Sequence, residues 1–295
     1  MKEYILEFMR RFDYPEEAEK AIGDLYERIS KDSRDARLFE DLLEVYRNDY
    51  RCDFKEIFEK AEMIADHLNV TKYEVNELIL ICMSSHLRTL YSEKGYSETM
   101  WEESMYDLKY KLLKCRMIKG VWGNFAAQWE TGFFDLTRFA FGRLQFEAVI
   151  YSGEVCEVND VKIMPGDRII NVHIPRTQTP LTKEACDEAY RRAREFFRKR
   201  YDRTFPFIMF SWILYPPYKK LFAETSNLYR FAETYKVLGT VEDKSMNDNM
   251  WRIFNMDWTG DVEDYPENTS LQRKMKNYLR DGGSIGAGYG IYVFK

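Results

Sequence analysis

Histidine is scarce in this chain, cysteines form no close pairs, and no apolar run reaches the roughly 20 residues needed to span a bilayer. Each lack removes a class of function. His67, His86 and His173 are far apart and show no ligand spacing, so no metal site is expected. Cys52, Cys82, Cys115, Cys156 and Cys186 are odd in number, well separated and without a Cys-x-x-Cys pair, which points to a reduced, cytoplasmic setting. The first residues, MKEYILEFMRRF, carry charge throughout and are not expected to act as a secretion signal. Nor is there an excess of positive charge. A net charge of −5 and a pI near 5.5 argue against nucleic acid or an anionic membrane as the partner.

The 295 residues suffice for two domains, and a balance of 45% hydrophobic to 32% charged residues suits a folded chain. With 21 Tyr and 20 Phe, aromatics exceed what one compact core needs, so some are expected to line a groove or an interface.

Residues 1–132 read as a helical bundle. Ile5, Phe8, Met9 and Phe12 share one helical face; Ala18, Ile22, Leu25 and Ile29 share the next. The spacing recurs at Leu38–Tyr46, at Ile57–Leu68, after a cap at Thr71, and over Met100–Met117. Near Gly132 the period changes. Phe133–Leu136 is apolar, and Leu144, Phe146, Ala148 and Ile150 then alternate with Gln145 and Glu147, the signature of a strand. A second alternating run, Glu154–Met164, turns at Asn159-Asp160. Residues 133–295 are therefore read as a separate mixed domain. Within it, Phe205–Leu214 is expected as a strand, Tyr218–Leu238 as a helix stopped by Gly239, Met250–Phe254 as a strand, Leu271–Arg280 as a capped helix and Ala287–Phe294 as a closing strand. The run GSIGAGYG resembles a dinucleotide-binding glycine motif, but no helix follows it; glycines that admit a close neighbour explain it better.

One stretch organises this domain. Ile169–Ile174 is a β-branched strand closed by Pro175, followed by the polar loop Arg176-Thr177-Gln178-Thr179-Pro180. Thr182 then caps a helix carrying Ala185, Ala189, Ala193 and Phe196 on one face and a basic end over Arg198–Arg203. Unpaired N–H groups at that helix start suit an anion, although strand-loop-helix is also an ordinary building block of mixed folds.

The order of elements after Phe133 resembles the GNAT acyltransferase fold. Four stretches resemble more closely the GNAT-like domain of bacterial acyltransferase-domain proteins, in which a helical domain comes first. They are Gly142–Glu147, His173-Ile-Pro with Pro180-Leu-Thr182, Ser211-Trp-Ile-Leu with Ser226-Asn227, and Thr269–Arg273 with the glycine-rich strand. The resemblance implies an α+β protein: an N-terminal helical bundle, then a GNAT-like mixed β-sheet flanked by helices. It implies an acetyl-CoA or other acyl-CoA co-substrate, no metal, and direct acyl transfer to a small-molecule amine. The pyrophosphate would lie on Arg176, Thr177, Gln178, Thr179 and Thr182. The loop departs from the family's Gln/Arg-x-x-Gly-x-Gly/Ala pattern: counted from Arg176, the glycine positions hold Thr179 and Leu181, and counted from Gln178 they hold Leu181 and Lys183. That departure keeps open an alternative, a GNAT-shaped binding protein that has lost CoA. Tyr235-Lys-Val-Leu-Gly239 matches the family's Tyr-x-x-x-Gly spacing, which would make Tyr235 the acid for the leaving thiolate. His173 is the candidate base, with Glu147 acting through a water as its rival. Tyr235 and His173 are expected to share one cleft. Ser211 has no Asp or His at triad spacing and is not read as a nucleophile.

Overall fold

The computed structural model describes residues 1–201, 205–242 and 250–294. They divide into two compact units, Met1–Ala140 and Phe141–Lys295.

The first unit is built from α1 (Lys2–Arg11), α2 (Glu16–Lys31), α3 (Ser33–Asn48), α4 (Phe54–Leu68), α5 (Lys72–Glu93), α6 (Glu98–Lys119) and α7 (Ala127–Phe134). Side chains fix most of the starts. Asp32 and Asp53 accept backbone N–H groups of α3 and α4, Thr71 and Glu74 form a capping box on α5, and Ser97 caps α6. Every residue of α5 from Val75 to Ser84 is buried, so this helix is the hub on which the others pack. The polar Glu77 survives there by pairing: the Tyr14 hydroxyl donates to one of its oxygens at 2.9 Å and the Asn124 amide to the other at 3.2 Å. Burial pushes its carboxyl up to about 8.

The division falls eight residues later than the change of period suggested. The reason is α7, a short helix that the sequence pattern did not reveal. Its Phe134 packs on Tyr46, whose hydroxyl donates to the Phe134 carbonyl at 3.0 Å. Phe133–Leu136, read as the start of the mixed domain, thus belongs to the helical one.

The sheet has the strand order β1-β2-β5-β6-β8-β7, from β1 (Arg138–Phe141), β2 (Leu144–Ile150), β5 (Arg168–His173), β6 (Phe207–Ser211), β7 (Lys236–Glu242) and β8 (Gly286–Tyr292). The hairpin of β3 (Cys156–Val158) and β4 (Val161–Ile163) stands apart from it, turning at Asn159 and Asp160, both at positive φ as a two-residue hairpin loop requires. Helix α8 (Lys183–Tyr201) crosses from β5 to the parallel β6. Arg203, expected at its basic end, lies outside the described residues. The buried face of α8 is Cys186, Ala189, Tyr190, Ala193 and Phe197, one residue round from the face expected.

Two expected elements differ. The helix over Tyr218–Leu238 is broken: α9 (Pro216–Lys219) and α10 (Asn227–Glu233) are separate, and from Lys236 the chain is strand β7. Ser226 starts α10 afresh by accepting the Tyr229 N–H at 3.2 Å, and β-branched Val237, Thr240 and Val241 favour extension. Gly239 therefore stops no helix; it sits at an irregularity in the pairing of β7 with β8. Met250–Phe254 contains a helical turn, α11 (Trp251–Phe254), closed by Asn255 at a φ of +61°. Helix α12 (Ser270–Arg280) has the expected cap, Thr269 with Gln272. The glycines of β8 admit close neighbours: a Cβ at Gly288 would lie 2.3 Å from the Leu214 carbonyl oxygen.

Candidate functional site

Strands β5 and β6 pair over only two positions, Ile170 with Phe207 and Asn171 with Ile208. Beyond them the ladder stops, and β5 runs on through His173 with regular pairing on its β2 side. His173 lies opposite Gln145, one step diagonally from Glu147, and the His173 Nε2 is 3.1 Å from a Glu147 carboxylate oxygen. The two residues proposed as rival bases are thus one hydrogen-bonded pair. Both side chains keep some solvent access, 17% for His173 and 22% for Glu147.

The loop after β5 is held at both ends. The Arg143 guanidinium, from the turn between β1 and β2, donates to the Pro175 carbonyl at 3.0 Å. Arg176 donates to the Asn255 side-chain oxygen at 2.6 Å, and the Thr177 hydroxyl to the Thr179 carbonyl at 3.2 Å. Gln178 and Thr179 are exposed. Thr182 caps α8 as its sequence position suggested, accepting the Ala185 N–H at 3.2 Å. A guanidinium, three threonine hydroxyls and the start of a long helix form a donor set that suits a diphosphate. Leu181, in a position where the family pattern has glycine, is buried, so the loop offers side-chain hydroxyls more than bare backbone.

Tyr235 is placed elsewhere. It precedes β7, is 5% exposed, and its hydroxyl lies 2.6 Å from that of Tyr190 on α8. Burial raises its pKa, and it packs against Phe231 and Tyr292. Strand alternation settles which side of the sheet this is. Phe146, Phe207 and Tyr292 contact Tyr190 and so face α8. Glu147, Asn171 and His173 alternate with those positions and face the other way. The expected shared cleft between Tyr235 and His173 is therefore not formed; the sheet lies between them.

Outside this region, Asp32, Asp35 and His67 offer three ligand-type atoms within 4.8 Å of one another, but Asp32 caps α3 and Asp35 lies 2.7 Å from His67 Nδ1. The Ser211 hydroxyl accepts the Ile213 N–H and starts a 3₁₀ turn over Trp212–Leu214. A recess of about 440 Å³ beside α9 and α10, lined by Pro216, Lys219, Lys220, Phe222, Glu224 and Tyr229, contains none of the expected site residues. Among the described residues no helix is long and apolar enough to cross a membrane.

A parted pair of parallel strands, a polar loop and a capped helix on a mixed sheet, preceded by a helical unit, define an acyltransferase-type protein. Residues 138–292 match the GNAT-like C-terminal domain and residues 3–136 the N-acyltransferase N-terminal domain, and the chain belongs to this acyltransferase family. Its fold is shared with a crystallised acyltransferase in complex with decanoyl-CoA and teicoplanin, at a TM-score of 0.75 and 18% identity, over 98% of this chain and 87% of that one. An acyltransferase mutant in complex with octanoyl-CoA gives the same values. An acyltransferase in complex with CoA and 10C-teicoplanin gives a TM-score of 0.73 at 18% identity, with the same coverage of both chains. No curated protein matches the chain in sequence.

Proposed function

We propose that the chain moves an acyl group from an acyl-CoA directly to the amine of a small molecule. The observation that carries this reading is the parting of β5 from β6 beside the His173–Glu147 pair. A thioester laid in that opening would present its carbonyl carbon next to a proton acceptor. The amine nitrogen attacks that carbon, the C–S bond breaks, and CoA leaves as thiolate. With its Nε2–H directed at Glu147, the His173 ring takes the proton from nitrogen at Nδ1. Glu147 orients the ring and balances the charge it gains, so it acts through His173. A thiol of ordinary pKa, about 8.5, leaves readily and takes its proton from solvent, so the buried Tyr235 need not supply it. Arg176, Thr177, Gln178, Thr179 and Thr182 are proposed to hold the pyrophosphate with the first turn of α8. Neighbours that bind acyl-CoA support an acyl-CoA donor, and those that bind teicoplanin support a small-molecule acceptor.

The test is thermal stability with acetyl-CoA and decanoyl-CoA, set against desulfo-CoA and ADP, followed by thiol release on adding an amine. A ligand at a hundred times its dissociation constant adds about 2.7 kcal/mol of apparent stability. No response to any CoA species would leave the alternative, a GNAT-shaped binding protein without CoA, for which the glycine-free loop speaks.

A further inference from the structure

The sheet face that carries His173 and Glu147 is only half covered. Near the start of β5, Ile169 and Ile291 are buried with Tyr151, just past β2, and with Val158 and Ile163 of the β3–β4 hairpin, and Ile208 packs against this cluster. Farther along the same face the cover ends. Phe210 lies two residues beyond Ile208, and His173 two residues beyond its partner Asn171, so the two stand level across the opening between β5 and β6. Each is about 6.6 Å past the last paired position. Phe210 pairs with Tyr289 of β8, and their rings stack at 4.3 Å and 27°. Both rings remain open to solvent, 44% and 41% exposed, where most of the chain's aromatic residues are buried or half-buried. Tyr289 takes the β8 side of Phe210, and β5, the strand that carries His173, is the neighbour on the other side.

We infer that Phe210, braced by Tyr289, is the platform for an aromatic ring borne by the acceptor amine. This rests on the acyl-transfer reading above. The side of the sheet decides that the occupant is the acceptor. A base must touch the nucleophile, so the amine lies on the His173 face, and a group reaching a few atoms beyond it meets Phe210. A flat π-face recognises another flat ring by offset or edge contact, which a flexible alkyl chain cannot match. The acceptor class is therefore a primary amine on a short arm carrying an aryl ring.

Phenethylamine, cyclohexylethylamine and butylamine serve as probes, with acetyl-CoA as donor and thiol release as readout. Binding of phenethylamine in the presence of desulfo-CoA is measured in parallel by calorimetry. The wild-type chain should favour phenethylamine over butylamine by about tenfold or more in kcat/KM, expressed in KM, and should favour it over cyclohexylethylamine. In Phe210→Ala and Phe210→Leu that preference should collapse to within about twofold. Tyr289→Ala should lose part of it. If the wild type transfers to all three amines alike, or Phe210→Ala keeps the aryl preference, the platform is overturned and the transfer reading stands. If no amine is acylated yet phenethylamine binds and Phe210→Ala abolishes that binding, the platform stands and the transfer reading falls. Absence of both binding and transfer overturns the platform.

Discussion

His173 on β5 and Glu147 on β2 meet across the sheet, imidazole nitrogen to carboxylate at 3.1 Å, two residues past the point where β5 leaves β6. Residues that act as one unit are not additive. His173→Ala should lower kcat by roughly 10²–10⁴, and Glu147→Gln by a smaller factor. The double variant should be no worse than His173→Ala alone, because the proposed transfer routes Glu147 through the ring. Losses that multiply would show two independent groups.

Tyr235→Phe separates the two sides of the sheet. The change removes one hydroxyl from a buried hydroxyl pair and leaves the Tyr190 hydroxyl without that partner. A loss of about 1–3 kcal/mol in denaturant unfolding is expected, with kcat within a few-fold of wild type. A fall of 10² or more in kcat with full stability would restore Tyr235 as the acid.

Arg176→Ala tests the loop. A charge-assisted contact to phosphate should be worth about 1.5–3 kcal/mol, read as weaker CoA binding by calorimetry. Arg176 also holds Asn255, so Asn255→Ala is the control: it removes that link and keeps the cation. Unchanged affinity in Arg176→Ala would take the loop out of the site.

Glu77 governs a pH effect in the helical unit. Its carboxyl titrates near 8 in the fold against an ordinary value near 4.5, because burial disfavours the charge. The folded state therefore holds a proton that the unfolded state has lost, and stability falls as pH rises from about 4.5 to 8. Glu77→Gln keeps partners for Tyr14 and Asn124 and carries no charge. It should flatten the decline and stabilise the protein by about 1–3 kcal/mol at pH 8 in urea unfolding. A variant less stable than wild type at pH 8 would reject this account.

Much of this was legible in the sequence because local chemistry and tertiary packing agreed. Thr71, Thr182 and Thr269 each sit before a helical run and each caps a helix. Asn159-Asp160 is a turn pair and turns. Failures came where short segments depend on distant partners. Helix α7 is eight residues long with Thr131 and Gly132 inside, and its aromatic contact to Tyr46 is invisible to periodicity. Lys236–Glu242 follows helical residues without a proline or a stopping glycine, yet strand β8 claims it. At the site, the types of His173 and Glu147 could be read, but their contact needed the β2–β5 register. Alternation along it puts His173 on one face, and the Tyr190 contact puts Tyr235 on the other. Phe210 and Tyr289 left only a surplus of aromatics as their signal.

The strand order β6-β8-β7 has a consequence for synthesis. A ribosome makes β6 and β7 before β8, yet in the finished sheet β8 separates them. Until Gly286–Tyr292 emerges, β7 has no sheet partner and β6 exposes one edge. The helices of Met1–Ala140 are by then long released and free to fold. At ordinary elongation rates the sheet unit waits on the order of ten seconds, with the apolar residues of β6 uncovered. During that interval the unpaired edges of β6 and β7 are open to chaperones and to aggregation.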